Sequence, residues 1–301
     1  MAGLASVGYV ASHRIATALH LAVHLQKPIL IEGVAGVGKT QLALSTAELF
    51  DLPLVRMQCY DGLDESKALY EWKYGKQLLY TQILKDRMGA ALADANTLDE
   101  AMARLHGVGD LFFSEQFLEA RPLLKALQQP GGAVLLIDEV DKADEAFEAL
   151  LLEVLSAYQV SVPEIGSIRA AQPPLVFLTS NNVRDLGDAL KRRCLHLHIP
   201  LPDAELENRI VAARVPGIDE ALRRNLVEYV HSKRTLELRK SPSISETVDW
   251  ARALVLLHIG ALEPTIVRET LNVLVKYEQD VGLIEPQIAE MLRNLSTADG
   301  R

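Results

Sequence analysis

The chain has 301 residues, room for one large domain or two smaller ones at about 150 residues each, and 49% of it is hydrophobic against 24% charged. That is enough apolar material for a real core, which excludes general disorder. Lys and Arg number 31 against 40 Asp and Glu, and the resulting net charge of −9 excludes a broad attraction to phosphate backbones or anionic membranes, though not a local basic channel.

The apolar residues Ile15, Leu19, Ala22 and Val23 recur at helical spacing from His13 to Leu25, and Lys27-Pro28 ends that helix. Pro28-Ile-Leu-Ile-Glu32 then reads as a buried parallel strand running into glycines. A helix is expected from Gln41 to Phe50 and a second strand from Leu54 to Gln58, while Asp61 to Tyr80 mixes loop and helix. Two further helices are expected before residue 130, the second from about Glu115 to Gln128 with Ser114 as N-cap. Ala133 to Asp138 is a third strand and Glu145 to Tyr158 a helix. Gln159 to Ala170 reads as a β-hairpin turning at Gly166. Leu175 to Thr179 and Leu195 to Ile199 are the fourth and fifth strands, and the alternation of strands with helices predicts a doubly wound α/β body. Beyond Pro200 and Pro202 only helical periods remain, one of them opened by the capping box Ser243-Ile-Ser-Glu246. The expected organisation is an α/β body over residues 1–201 and a smaller all-α lid over 202–301.

Gly33-Val34-Ala35-Gly36-Val37-Gly38-Lys39-Thr40 fits the phosphate-loop pattern at every fixed position, after a strand and before a helix. Glycines let backbone N–H groups turn inward around phosphates, where a helix N-terminus adds its positive dipole. Lys39 would reach the β- and γ-phosphates, and the Thr40 hydroxyl would ligate Mg²⁺. Val134-Leu-Leu-Ile-Asp138-Glu139 delivers an acidic pair to the carboxyl end of a strand; Asp138 would hold the metal shell and Glu139 polarise a water. On the fourth strand, Asn181 of Leu178-Thr-Ser-Asn-Asn182 is placed to orient that water, although Asn-Asn is equally a turn signal. Lys191-Arg192-Arg193 offers guanidinium groups to a neighbouring site, or simply complements a helix C-terminus.

With these elements in this order, the sequence resembles the AAA+ ATPases over nearly its whole length, and among them the MoxR family. The resemblance implies a five-stranded parallel sheet of order 5-1-4-3-2 and ATP with Mg²⁺ as cofactors. It implies nucleotide contacts from Tyr9, Val10 and the loop residues through Gln41, with Thr40 and Asp138 at the metal. It further implies Walker A at Gly33–Thr40, Walker B at Asp138-Glu139, a sensor 1 asparagine at Asn181, and an arginine finger at Arg193 with Arg192 as second candidate. The hairpin falls where this group carries a pre-sensor hairpin. A homo-oligomeric, hexameric ring is the implied assembly. More narrowly, the segments from Gln58 to Trp72 and from Arg239 to Trp250 are similar to the CoxD-like branch, which helps mature the metal site of molybdenum-containing carbon monoxide dehydrogenase. That implies a remodelling chaperone with a metalloenzyme client and a partner containing a von Willebrand A domain. The chain departs from the family at Ser243, where many members place a sensor 2 arginine; Arg239 or Lys240 is then the candidate replacement.

Tyr70, Trp72, Lys73, Tyr74 and Lys76 would face the pore of such a ring and grip a client, or else pack beneath its surface. His196 and His198 share a strand face but have no third ligand nearby, so a half-buried edge strand explains them better than a metal. Cys59 and Cys194 are too few for a disulfide framework or a Cys-rich zinc site, and the implied strand order puts them at opposite edges. No secretory pattern and no run of ~18–20 apolar residues occurs, so a cytoplasmic protein without membrane insertion is expected. The alternative function is a nucleic-acid motor or loader, against which the acidic balance and the 5% aromatic content count. A small-molecule kinase would need neither the Asp-Glu pair nor a shared arginine, and a scaffold without turnover would not need the intact catalytic set.

Overall fold

A computed structural model describes residues 1–93, 97, 112–163 and 165–290. Two helices, α1 (Ala2–Ser6) and α2 (His13–Leu25), precede β1 (Ile29–Glu32). Ser12 caps α2 by accepting from the Ile15 N–H, Ile15, Leu19 and Ala22 are its buried stripe, and Gln26 ends it in the left-handed conformation. Then come α3 (Lys39–Phe50), β2 (Leu54–Gln58), α4 (Glu65–Ala68), β3 (Tyr70–Trp72), α5 (Tyr74–Ala93), β4 (Leu118–Ala120) and α6 (Pro122–Leu127). The body closes with β5 (Val134–Asp138), α7 (Glu145–Ala157), the hairpin β6 (Gln159–Val162) and β7 (Gly166–Arg169), β8 (Leu175–Ser180), α8 (Asp188–Arg193) and β9 (Leu195–His198). After the body come α9 (Ala204–Arg214), α10 (Glu220–Arg234), α11 (Ile244–Leu256), α12 (Pro264–Leu274) and α13 (Glu278–Ile284).

Five parallel strands form one sheet in the order β2-β5-β8-β1-β9, the order the family resemblance implied. Residues alternate between its faces with the strand period of two. Ile29, Ile31, Val134, Leu136, Phe177 and Leu197 join an apolar cluster that continues into Val211, Val230, Trp250 and Leu271 of the C-terminal helices. Leu30, Leu135, Ile137, Val176 and Leu178 face the other way, onto α6, α7 and the hairpin. Every residue of β5 is buried, as a central parallel strand covered on both faces requires. The register places Gln58 of β2 opposite Asp138 of β5, so the carboxyl ends of the strands finish together around the loop after β1.

The helix expected over Glu115–Gln128 is broken in two. A 3-10 turn covers Glu115–Phe117, β4 pairs antiparallel with β3 through Tyr70↔Ala120 and Trp72↔Leu118, and α6 starts at Pro122. Pro122 has no N–H and favours an extended predecessor, which Arg121 is, so it opens a helix rather than continuing one. Glu164 in the hairpin and residues 291–301, assigned to the lid, lie outside the described residues. Cys59 and Cys194 are buried and free, next to the two edge strands, and burial pushes both thiols up to about 12.

In the C-terminal helices, fully buried Glu207 accepts from Arg234 Nη1 and Nη2 at 2.6 and 2.8 Å and pairs with His231 at 2.8 Å. Arg234 Nε also donates to Pro242 O at 2.7 Å, which ties α9 and α10 to the segment that opens α11. No helix among the described residues is long and apolar enough to cross a membrane.

Candidate functional site

The loop between β1 and α3 wraps around the lysine that starts the helix. Lys39 Nζ donates to Gly33 O at 2.5 Å, to Val34 O at 3.0 Å and to Asn181 Oδ1 at 2.7 Å. Burial lowers the Lys39 pKa, and the nearby carboxylates of Asp141, Asp138 and Glu139 partly offset that. Two glycines allow the wrap. A Cβ at Gly33 would run into Ile199 O, and one at Gly36, whose φ is +79°, into the Ser243 hydroxyl. Val37 is buried while Val34 is exposed, so the loop is anchored on one side and open on the other.

Buried Asp138 ends β5 and gathers three donors. Thr179 Oγ1 lies 2.5 Å from Oδ1, Arg56 Nη2 lies 2.7 Å from Oδ2, and Thr40 Oγ1 lies 3.2 and 3.3 Å from the two oxygens. Thr40 and Asp138 thus supply an all-oxygen pair beside the loop, the donor chemistry that suits Mg²⁺.

Glu139 follows in the left-handed region, φ +56°, a conformation that costs a non-glycine residue about 1–2 kcal/mol. Its N–H donates to Thr179 Oγ1 at 2.9 Å, which offsets part of that cost and turns the carboxylate towards the loop. There Asn181 Nδ2 donates to Oε1 at 3.0 Å, while Gln58 Nε2 and Lys142 Nζ each lie 2.7 Å from Oε2. Asp141, buried at 3% exposure, accepts from the N–H groups of Asn181 at 3.1 Å and Val183 at 2.8 Å. It fixes the end of β8 and with it the Asn181 side chain.

Two cavities meet at the loop. A polar one of about 430 Å³ is lined by Ala35, Lys39, Thr40, Asp138, Glu139 and Asn181 among others. A more apolar one of about 260 Å³ is lined by Tyr9, Val10, Val37, Ile199, Ile244 and Val248 among others. Gly36, Gly38, Gln41 and Ser245 line both. The segment expected to cradle a base and the loop expected to hold phosphates therefore share one continuous groove. On its helical side, Ser245 donates from N–H and from Oγ to Gly36 O, each at 3.2 Å.

Ser243 and Glu246 form the capping box at the start of α11, so position 243 serves the helix rather than the groove. Neither Arg239 nor Lys240, the candidate replacements for the missing arginine, lines either cavity. Arg239 lies over the Tyr277 ring at 4.2 Å, and Lys240 Nζ donates to Glu246 Oε1 at 2.8 Å. Arg192 and Arg193 end α8 on the surface, away from both cavities, and Arg193 Nε donates to Ser156 Oγ at 3.0 Å.

The aromatic segment divides. Tyr70 and Trp72 pack edge to face, and Trp72 meets Phe113 at 5.3 Å, whereas Tyr74 is 63% exposed. Lys73 pairs with Glu119, and Lys76 lies over the Phe117 ring. His196 sits on the edge strand β9 with Nε2 2.7 Å from Glu32 Oε2.

Several polar residues of the site, Gln58 and Ser245 among them, are not marked out by the sequence. Arg56 was visible as a charge inside a strand pattern, and Asp141 as a third carboxylate after the acidic pair. Thr179 and Lys142 have no signal apart from the fold.

The profile of the AAA domain, dynein-related subfamily, matches residues 28–194, and the chain belongs to this family. It is accordingly an ATPase that uses ATP and Mg²⁺, and AAA+ ATPases characteristically assemble as rings. The chain is 24% identical over 237 residues to uncharacterised proteins of Staphylococcus epidermidis and Staphylococcus aureus, covering 77% of its own length and 76% of theirs. The Thermotoga maritima RuvB Holliday junction branch migration motor is 17% identical with a TM-score of 0.47, over 95% of this chain and 80% of that one.

Proposed function

We propose that this ATPase is a ring-forming remodelling machine of the MoxR family, CoxD-like branch, acting on a protein client. The observation that carries the reading is the path of the segment similar to that branch. It begins at Gln58, whose amide holds Glu139 in the polar cavity, and runs through α4 to Trp72 at the end of the aromatic strand β3, two residues before the exposed Tyr74 that starts α5. One short stretch of chain thus joins the hydrolytic carboxylate to a surface able to touch another protein.

In this reading the adenine lies against Tyr9 and Val10, and the loop from Gly33 to Gln41 surrounds the phosphates with N–H groups. Lys39 Nζ is held at the loop mouth, where it neutralises the γ-phosphate. Thr40 and Asp138 hold Mg²⁺, which when bound supplies positive charge to the phosphate oxygens. Asn181 aligns a water against Glu139, which accepts its proton as the water oxygen attacks the γ-phosphorus and ADP departs. Arg193 of a neighbouring protomer, with Arg192 beside it, stabilises charge on the transferring group.

Residues 1–201 and 202–301 are taken as the body and lid whose relative angle follows hydrolysis. Ser245 on Gly36 is their point of contact at the groove. The client is a metalloenzyme such as a molybdenum-containing carbon monoxide dehydrogenase, with a von Willebrand A domain protein as adaptor. The test is capture with Glu139→Gln protein in ATP and Mg²⁺, which should retain an oligomer together with a client and adaptor. A monomer that retains neither protein would overturn the reading. Trp72→Ala should keep basal ATP hydrolysis while reducing client maturation.

A further inference from the structure

Asp138 carries a guanidinium in addition to its two hydroxyl donors. Arg56 lies on β2, one of the two edge strands, and reaches inward so that Nη2 sits 2.7 Å from Asp138 Oδ2. The two side chains differ sharply in environment: Arg56 is 52% exposed and Asp138 only 7%. The carboxylate is shielded, whereas the guanidinium has an open path to solvent. The hydroxyls of Thr179 and Thr40 are the other donors to Asp138, and both are neutral. The other nearby cations are bound to other groups, Lys39 of the cavity to loop carbonyls and Asn181, and Lys142 to Glu139.

A buried carboxylate without a counter-charge is costly. A divalent ion and a guanidinium cannot both press on one carboxylate oxygen without repelling each other. Mg²⁺ also demands a compact, near-octahedral oxygen shell, with no room for a bulky cation inside it. We propose that Arg56 is the resident counter-ion of Asp138, displaced when Mg²⁺ enters, and that it thereby sets the Mg²⁺ concentration at which nucleotide is clamped. The proposal rests on the reading of Thr40 and Asp138 as the metal pair.

The experiment titrates MgCl₂ into the full-length protein with a fluorescent ATP analogue and records the Mg²⁺ midpoint of binding. Arg56→Gln should lower that midpoint by up to about fivefold, the range for removing one partly exposed ionic competitor. Arg56→Lys keeps the charge and should stay near wild type. The gap between wild type and Arg56→Gln should narrow in high salt, because a half-exposed guanidinium is screened. Without nucleotide and in EDTA, Arg56→Gln should melt below wild type, because the 2.7 Å ion pair to Asp138 is then lost.

Binding with identical midpoints in wild type and Arg56→Gln, or a higher midpoint in the variant, overturns the proposal alone. Absence of analogue binding in all three proteins at any Mg²⁺ concentration overturns the nucleotide reading, and this proposal with it.

Discussion

Asn181 Nδ2 donates to Glu139 Oε1 across 3.0 Å, joining the end of β8 to the residue after β5. The same amide group accepts from Lys39 through its oxygen, so one side chain bridges Lys39 and Glu139. Asn181→Ala should therefore reduce ATP turnover by about tenfold or more while sparing nucleotide binding. Glu139→Gln should reduce turnover by at least ~10²-fold and also leave binding intact. Phosphate release measured beside equilibrium nucleotide binding checks both. A Glu139→Gln protein that turns over normally would remove Glu139 from the role of base.

Gly36 is where the loop touches the start of α11. Gly36→Ala puts a side chain at φ +79° and drives its Cβ into Ser243. The expected loss is about 1–3 kcal/mol of stability in a urea melt, with weakened nucleotide binding. Adding Ser243→Gly should recover the steric part of that loss and leave the backbone part, since glycine is a tolerable N-cap. Full additivity of the two substitutions would show that the contact does not couple them.

Glu246 gives a pH signature. Burial opposes its ionisation, but hydrogen bonds from Lys240 and Ser243 outweigh that and hold its carboxyl down at about 2. Its pKa in the folded chain lies below the unfolded value of about 4.3, so its stabilisation is complete above that value and lost as pH falls through 2. Glu246→Gln should cost about 1 kcal/mol near neutrality, with the difference from wild type vanishing towards pH 2. Denaturant melts across that range provide the measurement.

Arg193 tests the assembly. On its own protomer it is exposed and bonded to Ser156, not to the groove. Arg193→Ala should lower turnover by about 10³-fold or more and keep nucleotide binding. Mixed with Lys39→Ala protein, which is itself inactive, it should regain activity, because some boundaries then pair an intact Lys39 with a neighbour's Arg193. No recovery on mixing would place the arginine outside its neighbour's site.

Local chemistry made much of this legible before any coordinates. A glycine loop between a strand and a helix, and an acidic pair after an apolar strand, are short-range patterns with one dominant physical use. Their residues do converge: Lys39, Thr40, Asp138, Glu139 and Asn181 line a single cavity. Runs such as Val134–Asp138 are apolar because both faces of a central strand are covered, so they read clearly as strands. The helix expected over Glu115–Gln128 failed for the opposite reason. Leu118–Ala120 is a strand only because β3 lies beside it, and that partner is about fifty residues away in the chain.

The phosphate loop, the acidic strand end and the alternation of strands with helices were written in neighbouring residues, because backbone turning, capping and periodic burial act over a few positions. Pairings across the fold were not. Whether Arg56 meets Asp138, Gln58 meets Glu139, or Ser245 meets Gly36 depends on strand order, register and the seating of the C-terminal helices. Those are set by how two apolar faces of one sheet are covered at once, and a hydrogen bond or ion pair exists only where that packing brings its two ends within about 3 Å.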